Sequence, residues 1–390
     1  MDAQEQQTGQ EPAAARAGRR EWIGLAVLAM PTLLLALDMS VLYLALPQMT
    51  ADLRPSSSEL LWIMDSYGFM IAGFLVTMGT LGDRIGRRKL LLIGAAAFGT
   101  ASVLAAYAPT AEMLIAARAA LGVAGATLMP STLALISNMF GDAKQRSVAI
   151  AVWMSCFMGG TAIGPVIGGT LLEAFWWGSV FLLGVPVMLV LLATGPVLLP
   201  EFRDGSAKRL DLASVLLSLA AILPVVYGLK ELAKNGLGWE TAVALLGGVA
   251  FGVVFVRRQL RLDDPLLDLR LFRTASFRTA LAVFLATGFF MGGLFLFISQ
   301  FLQLVADLGP VEAGLWMLPP ALGMIGGTMA GPALAQRFGA WQVIGGGMLA
   351  GGAGIALLTQ LEATSSPWLL VIGMTVTTVG FGPGGALVTE

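Results

Sequence analysis

Histidine is absent from this 390-residue chain, and cysteine occurs once, as Cys156. Without imidazole the chain lacks the commonest general base, proton relay and metal ligand, and a single cysteine excludes a disulfide framework. Charged residues are scarce at 12%, roughly half the share in a soluble domain. We therefore expect a protein that is not soluble, has no metal site, and has no basic patch dense enough to bind nucleic acid.

Apolar residues dominate instead, at 57% of the chain. They form runs long enough to cross a bilayer as helices, without the period-two alternation of barrel strands. The first run is too long for a signal peptide and is expected to be retained. We predict an all-α integral membrane protein whose twelve spans lie at 22–46, 59–81, 90–108, 112–137, 148–172, 179–199, 212–229, 241–256, 279–305, 312–334, 341–361 and 367–389.

Basic residues are concentrated in alternate loops. If the N-terminus is cytoplasmic, most of the 23 basic residues fall in inside segments. Arg54, Lys230 and Lys234 then fall in outside loops, and Arg118 lies within a span. Because Lys and Arg favour cytoplasmic loops, this asymmetry predicts a multi-pass protein with a cytoplasmic N-terminus.

The chain also repeats itself. Leu81-Gly-Asp-Arg-Ile-Gly86 follows the second span, and Leu334-Ala-Gln-Arg-Phe-Gly339 follows the tenth. Spans nine to twelve therefore look like a second copy of spans one to four, an arrangement from which many transporters are built. The predicted regions are a cytoplasmic tail (1–21), a six-helix bundle (22–199), a two-helix insert with a cytoplasmic linker (200–278), and four helices of a second bundle (279–390).

Copies of the fifth and sixth spans would fall beyond residue 390. We therefore expect that these are twelve spans of a C-terminally truncated fourteen-span protein, with six, two and six spans in its three parts. Sequencing past residue 390 tests this expectation.

The loop after the second span carries a dense motif, Gly79-Thr-Leu-Gly-Asp-Arg-Ile-Gly-Arg-Arg-Lys89. Its glycines allow a tight turn, and its aspartate can meet a helix N-terminus or a basic group on a neighbouring helix. A basic loop that only fixes topology would not require the spaced glycines and aspartate. The candidate residues are Gly79, Leu81, Asp83, Arg84, Gly86, Arg87 and Arg88.

A second motif, Gly160-Thr-Ala-Ile-Gly-Pro-Val-Ile-Gly-Gly169, lies in the fifth span. Its proline predicts a kink, and its glycines let a neighbouring helix approach closely. The alternative is a packing kink with no role in transport. The candidate residues are Gly160, Gly164, Pro165, Gly168 and Gly169.

Three charges lie within spans: Asp38, Asp65 and Arg118. A carboxylate near the bilayer core costs roughly 2.5–3.5 kcal/mol, so it requires a partner, water or a function. At about 1.5 Å per residue, all three lie about 9–12 Å below the outer ends of their spans. Arg118 can pair with one aspartate, and the other is then the better candidate to exchange a proton. The sequence does not decide which, and purely static pairs are the alternative.

Together these motifs resemble those of the major facilitator superfamily. The loop after the second span resembles the family's latch motif. Arg118 resembles its fourth-span arginine, although Leu121 stands where Gln is usual. The stretch from Gly160 to Gly169 resembles the fifth-span motif of the drug:proton antiporters. The stretches Leu37–Pro47, Leu61–Tyr67 and Trp176–Pro186 are similar to fourteen-span exporters of quaternary ammonium compounds and methyl viologen, although Gly184 replaces a usual Asn.

The resemblance implies a major facilitator fold in a bacterial plasma (inner) membrane, with no cofactor besides the proton gradient. It implies multidrug efflux of hydrophobic, cationic compounds by proton antiport through alternating access. Asp38 and Asp65 would handle substrate or protons, and the loop would break and re-form as the halves move. The expected partners are lipophilic cations, protons and the lipid bilayer, and a monomer is expected.

Composition agrees with a lipophilic cation, since only Asn138 and Asn235 supply asparagine amides and a sugar site needs many hydrogen bonds. Three alternatives remain open. A dedicated exporter of an endogenous antibiotic or metabolite would share these features. A membrane-embedded enzyme or sensor would need a nucleophile–base pair or a soluble domain. An inactive fragment would follow if two missing spans left the cavity open.

Overall fold

The computed structural model describes residues 17–203, 211–262, 265–267, 269–361 and 367–387, and their regular secondary structure is entirely helical. The first half contains α1 (Arg19–Leu53), α2 (Ser57–Ile85), α3 (Arg87–Ala106), α4 (Ala111–Met139), α5 (Ala143–Ala174), the single turn α6 (Ser179–Leu182) and α7 (Gly184–Leu198). The insert contains α8 (Leu212–Asn235), α9 (Trp239–Gln259) and a 3-10 turn (Leu269–Arg273). The second half contains α10 (Ala275–Gln300), a π-helical turn (Phe301–Val305), α11 (Pro310–Trp316), α12 (Leu318–Phe338), α13 (Ala340–Leu358) and α14 (Pro367–Leu387).

The all-α membrane fold is confirmed. Each predicted apolar run coincides with one helix or with a helix broken in two, as α6 and α7 form the sixth. Within the described residues, 10 helices are long and apolar enough to cross a membrane. Most of the predicted tail (1–16), part of the linker (204–210) and residues 388–390 lie outside the described residues.

Helix ends differ from the predicted span ends because a helix does not stop at the first polar residue. The first helix continues past residue 46 to Leu53 and ends at Arg54, which has a left-handed backbone with φ 46°. Likewise, α8 continues past residue 229 to Asn235 and ends at Gly236, where φ is 77°. Glycine adopts positive φ without strain, so it is a common end signal for a helix. Lys230 therefore lies inside α8 and not in an outside loop, which corrects the prediction.

The repeated sequence forms the same turn twice. At Gly86 φ and ψ are 113° and 132°, and at Gly339 they are 89° and 141°. Each glycine N–H donates to the carbonyl four residues earlier, at 2.9 Å to Gly82 and 2.8 Å to Ala335. The helix pairs also correspond, since α2 and α3 pack on α4 as α12 and α13 pack on α14. The division into two bundles and an insert stays a prediction that these likenesses favour.

Candidate functional site

The first ion pair of the site joins α4 to α1. Nη1 of Arg118 lies 2.6 Å from Oδ2 of Asp38, and the two side chains are only 2% and 10% exposed. Nε of Arg118 also donates to the carbonyl of Ile63 at 3.1 Å, and its guanidinium lies 4.5 Å from the ring centroid of Tyr67. Arg118 therefore holds Asp38, which answers the question that the sequence left open.

The local sequence explains why α4 can place an arginine there. Thr110 caps the helix, since its side chain accepts a hydrogen bond from the amide of Met113 at 3.3 Å. One turn after Arg118, Gly122 lies against α2, where a Cβ would collide with the carbonyl oxygen of Tyr67. A small residue at this crossing lets the two backbones approach, which brings the guanidinium to Ile63 and Tyr67.

The second ion pair joins α2 to the insert. Nζ of Lys230, on α8, lies 2.9 Å from Oδ2 of Asp65 and 4.5 Å from the ring centroid of Trp62. The lysine side chain is 11% exposed, whereas the aspartate is 42% exposed. Although the distance defines an ion pair, the ammonium nitrogen is buried and makes no hydrogen bond of acceptable angle to any described residue.

Sequence reasoning missed Lys230 because the seventh apolar run was ended at the residue before it. The Asn-Gly pair at 235 and 236 was the available signal, because glycine marks a helix end more reliably than a charge does. Extending the helix to that pair places the lysine one to two turns inside it. The three predicted charges are thus not one cluster, because Arg118 joins Asp38 alone and Asp65 has a partner of its own.

The surroundings of the two aspartates also differ. Asp65 lines a cavity of about 540 Å³ between α1, α2 and α10. Its described walls are aromatic, aliphatic and glycine residues, among which Asp65 is the one carboxylate: Tyr43, Leu61, Met64, Phe289, Phe290, Gly292, Gly293, Leu294, Leu296 and Phe297. Asp38 adjoins an enclosed space of about 10 Å³ beside Leu34, Phe98 and Phe181, room for about one water molecule.

The loop motif is anchored within the first half. Asp83 accepts a hydrogen bond from Nε of Arg87 at 2.7 Å, across one turn. The amide of Arg87 donates to the carbonyl of Phe202 at 2.9 Å. Arg88 donates to the carbonyl of Leu199 at 2.9 Å, and its Nε lies 3.6 Å from Glu201. Asp83 thus pairs with Arg87 at the start of α3. The segment that follows α7 packs against the turn between α2 and α3.

The fifth-span motif forms the contact surface between α5 and two other helices. On one face, a Cβ at Gly160 would collide with the carbonyl oxygen of Leu33, and one at Gly164 with Ser40. On another face, Gly169 lies against the carbonyl of Pro310, while Gly314 of α11 lies against the carbonyl of Pro165. The motif glycines therefore let α5 pack closely against the part of α1 that carries Asp38. They also let α11 of the second half pack against α5.

Sequence comparison agrees with this architecture. Residues 28–389 match the family model of the Major Facilitator Superfamily, and the chain belongs to that family. It is 50% identical over 328 residues to the multidrug efflux pump LfrA of Mycolicibacterium smegmatis, which covers 84% of this chain and 65% of LfrA. It is 36% identical over 353 residues to the methyl viologen resistance protein SmvA of Salmonella typhimurium, covering 90% of this chain and 71% of SmvA.

Solved structures show the same fold. A bacterial homolog of the human lysosomal transporter Spinster, inward-facing and unoccupied, superimposes with a TM-score of 0.60 at 16% identity, covering 95% of this chain and 75% of that one. The chain spans 65% of the length of LfrA. Family membership and its long apolar helices make it a multi-pass membrane protein.

Proposed function

We propose that this protein exports hydrophobic cations from bacteria by proton antiport, and that Asp65 is the carboxylate for which substrate and proton compete. The observation that carries the proposal is the difference between the two aspartates. Asp65 is 42% exposed and faces a cavity of about 540 Å³, whereas Asp38 is 10% exposed and bound to Arg118. The names of the relatives, a multidrug efflux pump and a methyl viologen resistance protein, support export of such compounds.

The cavity has the composition that a lipophilic cation requires. Aromatic faces attract cations through their quadrupole, and methionine adapts to irregular shapes; Phe289, Phe297 and Met64 supply both here. One carboxylate within such walls neutralises a bound cation. A proton on the same carboxylate removes that attraction, so the two ligands exclude each other, which suffices for exchange.

Asp38 has a different role in this proposal. Its oxygen is already bonded to a guanidinium that is 2% exposed, so a substrate would have to break a buried pair to reach it. We assign Asp38 and Arg118 to holding α1, α2 and α4 together while the halves move. The N-terminus is taken as cytoplasmic, the location as the inner membrane, and the transporting unit as a monomer.

The test is ethidium efflux from the cytoplasmic side of the membrane, measured as accumulation of the dye inside everted vesicles of a host that lacks its own pumps. The vesicles contain the full-length chain, and the imposed proton gradient is acid inside. Asp65→Asn is expected to reduce proton-coupled efflux to background at normal protein levels, and Asp65→Glu to retain part of it. Glu173→Gln is the matched control, because Glu173 is an exposed carboxylate on α5. Wild-type efflux by Asp65→Asn would refute the proposal. A panel of neutral and cationic substrates in the same vesicles separates a multidrug pump from a dedicated exporter.

A further inference from the structure

Lys230 has no part in the proposed exchange of substrate and proton, although it contacts Asp65. We infer that its ammonium is a tethered competitor that occupies the cation position between Asp65 and Trp62 until a substrate cation displaces it. This inference rests on the proposed function of Asp65. It assigns to the inserted helix α8 a role in setting the affinity and selectivity of the cavity.

The ammonium of Lys230 lies between a carboxylate and an aromatic ring. Nζ lies 2.9 Å from a carboxylate oxygen and 4.5 Å from the centroid of an indole ring. A carboxylate together with an aromatic face is the combination that binds quaternary ammonium groups. The lysine head therefore occupies a position suited to a cation, between Trp62 and the carboxylate that lines the cavity.

The ammonium of Lys230 is incompletely hydrogen-bonded in this position. An ammonium group has three donors, and Nζ of Lys230 is buried without a hydrogen bond of acceptable angle to any described residue. A buried donor that makes no well-aligned hydrogen bond costs free energy, even when a counter-ion lies close to it. Because a delocalised cation has no such donors to satisfy, it can replace the lysine without incurring this cost.

The helix that carries Lys230 is connected to the rest of the chain at two places. Helix α8 packs on α2, and Leu219 of α8 fills the space beside Gly73 of α2. At its other end, Asp211 and Arg258 form an ion pair of 2.9 Å that ties α8 to α9. Release of Lys230 would remove one of the contacts between the insert and α2, so occupancy of the cavity is linked to the position of the insert.

Binding of tetraphenylphosphonium to the purified full-length protein at constant pH tests the inference. Lys230→Met removes the competitor and is expected to tighten binding about fivefold to tenfold. This is the change in affinity that corresponds to losing a half-exposed ion pair together with a cation–π contact. Lys230→Arg, which keeps a cation, is expected to bind like the wild type. Lys144→Met is the matched control, since Lys144 is exposed on α5. Unchanged or weaker binding by folded Lys230→Met would overturn the inference.

A second measurement needs no variant and so does not depend on folding. Saturating tetraphenylphosphonium should increase labelling of Lys230 by an amine-reactive reagent in the wild type, read by mass spectrometry, and leave Lys144 unchanged. Equal or reduced labelling of Lys230 would contradict displacement. If Lys230 only anchored α8, its replacement would lower the unfolding midpoint and leave the affinity unchanged.

The Asp65→Asn variant separates the two proposals. If it binds tetraphenylphosphonium as the wild type does, the proposed function fails and the inference fails with it. If it loses binding while Lys230→Met binds no more tightly than the wild type, only the inference fails. If both hold, Lys230→Met should give no gain when combined with Asp65→Asn.

Discussion

Asp38 and Asp65 lie on consecutive helices, and each pairs with a cation from another helix. The Arg118–Asp38 pair is buried on both sides and the guanidinium makes a further hydrogen bond to Ile63. The Lys230–Asp65 pair has one buried and one half-exposed partner, and its ammonium lacks a hydrogen bond to any described residue. The comparison teaches that burial and satisfied donors make one carboxylate a fixed structural charge. We propose that an open face and a partner without a well-aligned hydrogen bond make the other exchangeable.

The largest effect is expected from breaking the buried pair. Arg118→Ala leaves Asp38 as an unpaired charge in the helix core, which costs about 3–5 kcal/mol. We expect low yield and a sharply lower resistance to unfolding in mixed detergent micelles. Replacing both partners, as Arg118→Met with Asp38→Leu, should recover most of this loss. Near-wild-type stability of Arg118→Ala would contradict the assignment of Asp38 to a structural pair.

The backbone that positions Asp38 can be disturbed separately. Gly160→Ala places a methyl group against the carbonyl of Leu33 and the side chain of Ala36, and such overpacking costs about 1–3 kcal/mol. The neighbouring Gly159 has nothing within 4 Å of an added Cβ, so Gly159→Ala is the matched control. Unfolding in micelles should distinguish the two. Equal stability of both variants would show that the α1–α5 contact does not depend on the glycine.

Breaking the exposed pair should affect stability far less. Asp65→Asn removes an ion pair with a half-exposed partner, so the free energy of unfolding should fall by about 1 kcal/mol or less. The same micelle assay measures it beside Arg118→Ala, and function is expected to be lost despite the small change. A stability loss as large as that of Arg118→Ala would remove the distinction between the two pairs.

The smallest effect is expected at a third ion pair, outside the spans. Burial by itself raises the pKa of Asp211, but hydrogen bonds from Arg258 and Ser214 outweigh it and hold the pKa below its ordinary value of 3.8. A lowered pKa means that the ionised carboxylate stabilises the fold fully above pH 3.8 and loses this contribution as the pH falls through the lowered value.

Asp211→Asn should therefore be slightly less stable than the wild type at neutral pH, with the difference vanishing in acid. Thermal unfolding in detergent as a function of pH measures it. A difference that persists unchanged below the lowered pKa would show that the charge is not its cause.

The sequence predicted the helical membrane fold, the twelve apolar runs, the repeated turn and the three intramembrane charges. Hydropathy and glycine spacing are local properties, so they can be read along the chain. The partner of each charge depends on which helix faces which, and similar depth within the membrane does not determine this. Lys230 was missed because α8 continues beyond Leu229, where the predicted apolar run ends. The cavity was missed because α10 is distant in sequence from α1 and α2.

The most direct test of the account measures tetraphenylphosphonium affinity as a function of pH in wild type and in Asp65→Asn. Two titratable groups lie beside Asp65 in the described structure: Tyr43 of α1, which lines the same cavity, and Lys230 of α8. We predict that wild-type affinity falls as the pH is lowered, because the proton competes for Asp65. Asp65→Asn should bind weakly, if at all, and without this pH dependence. Binding by Asp65→Asn with wild-type affinity and pH dependence would contradict the account.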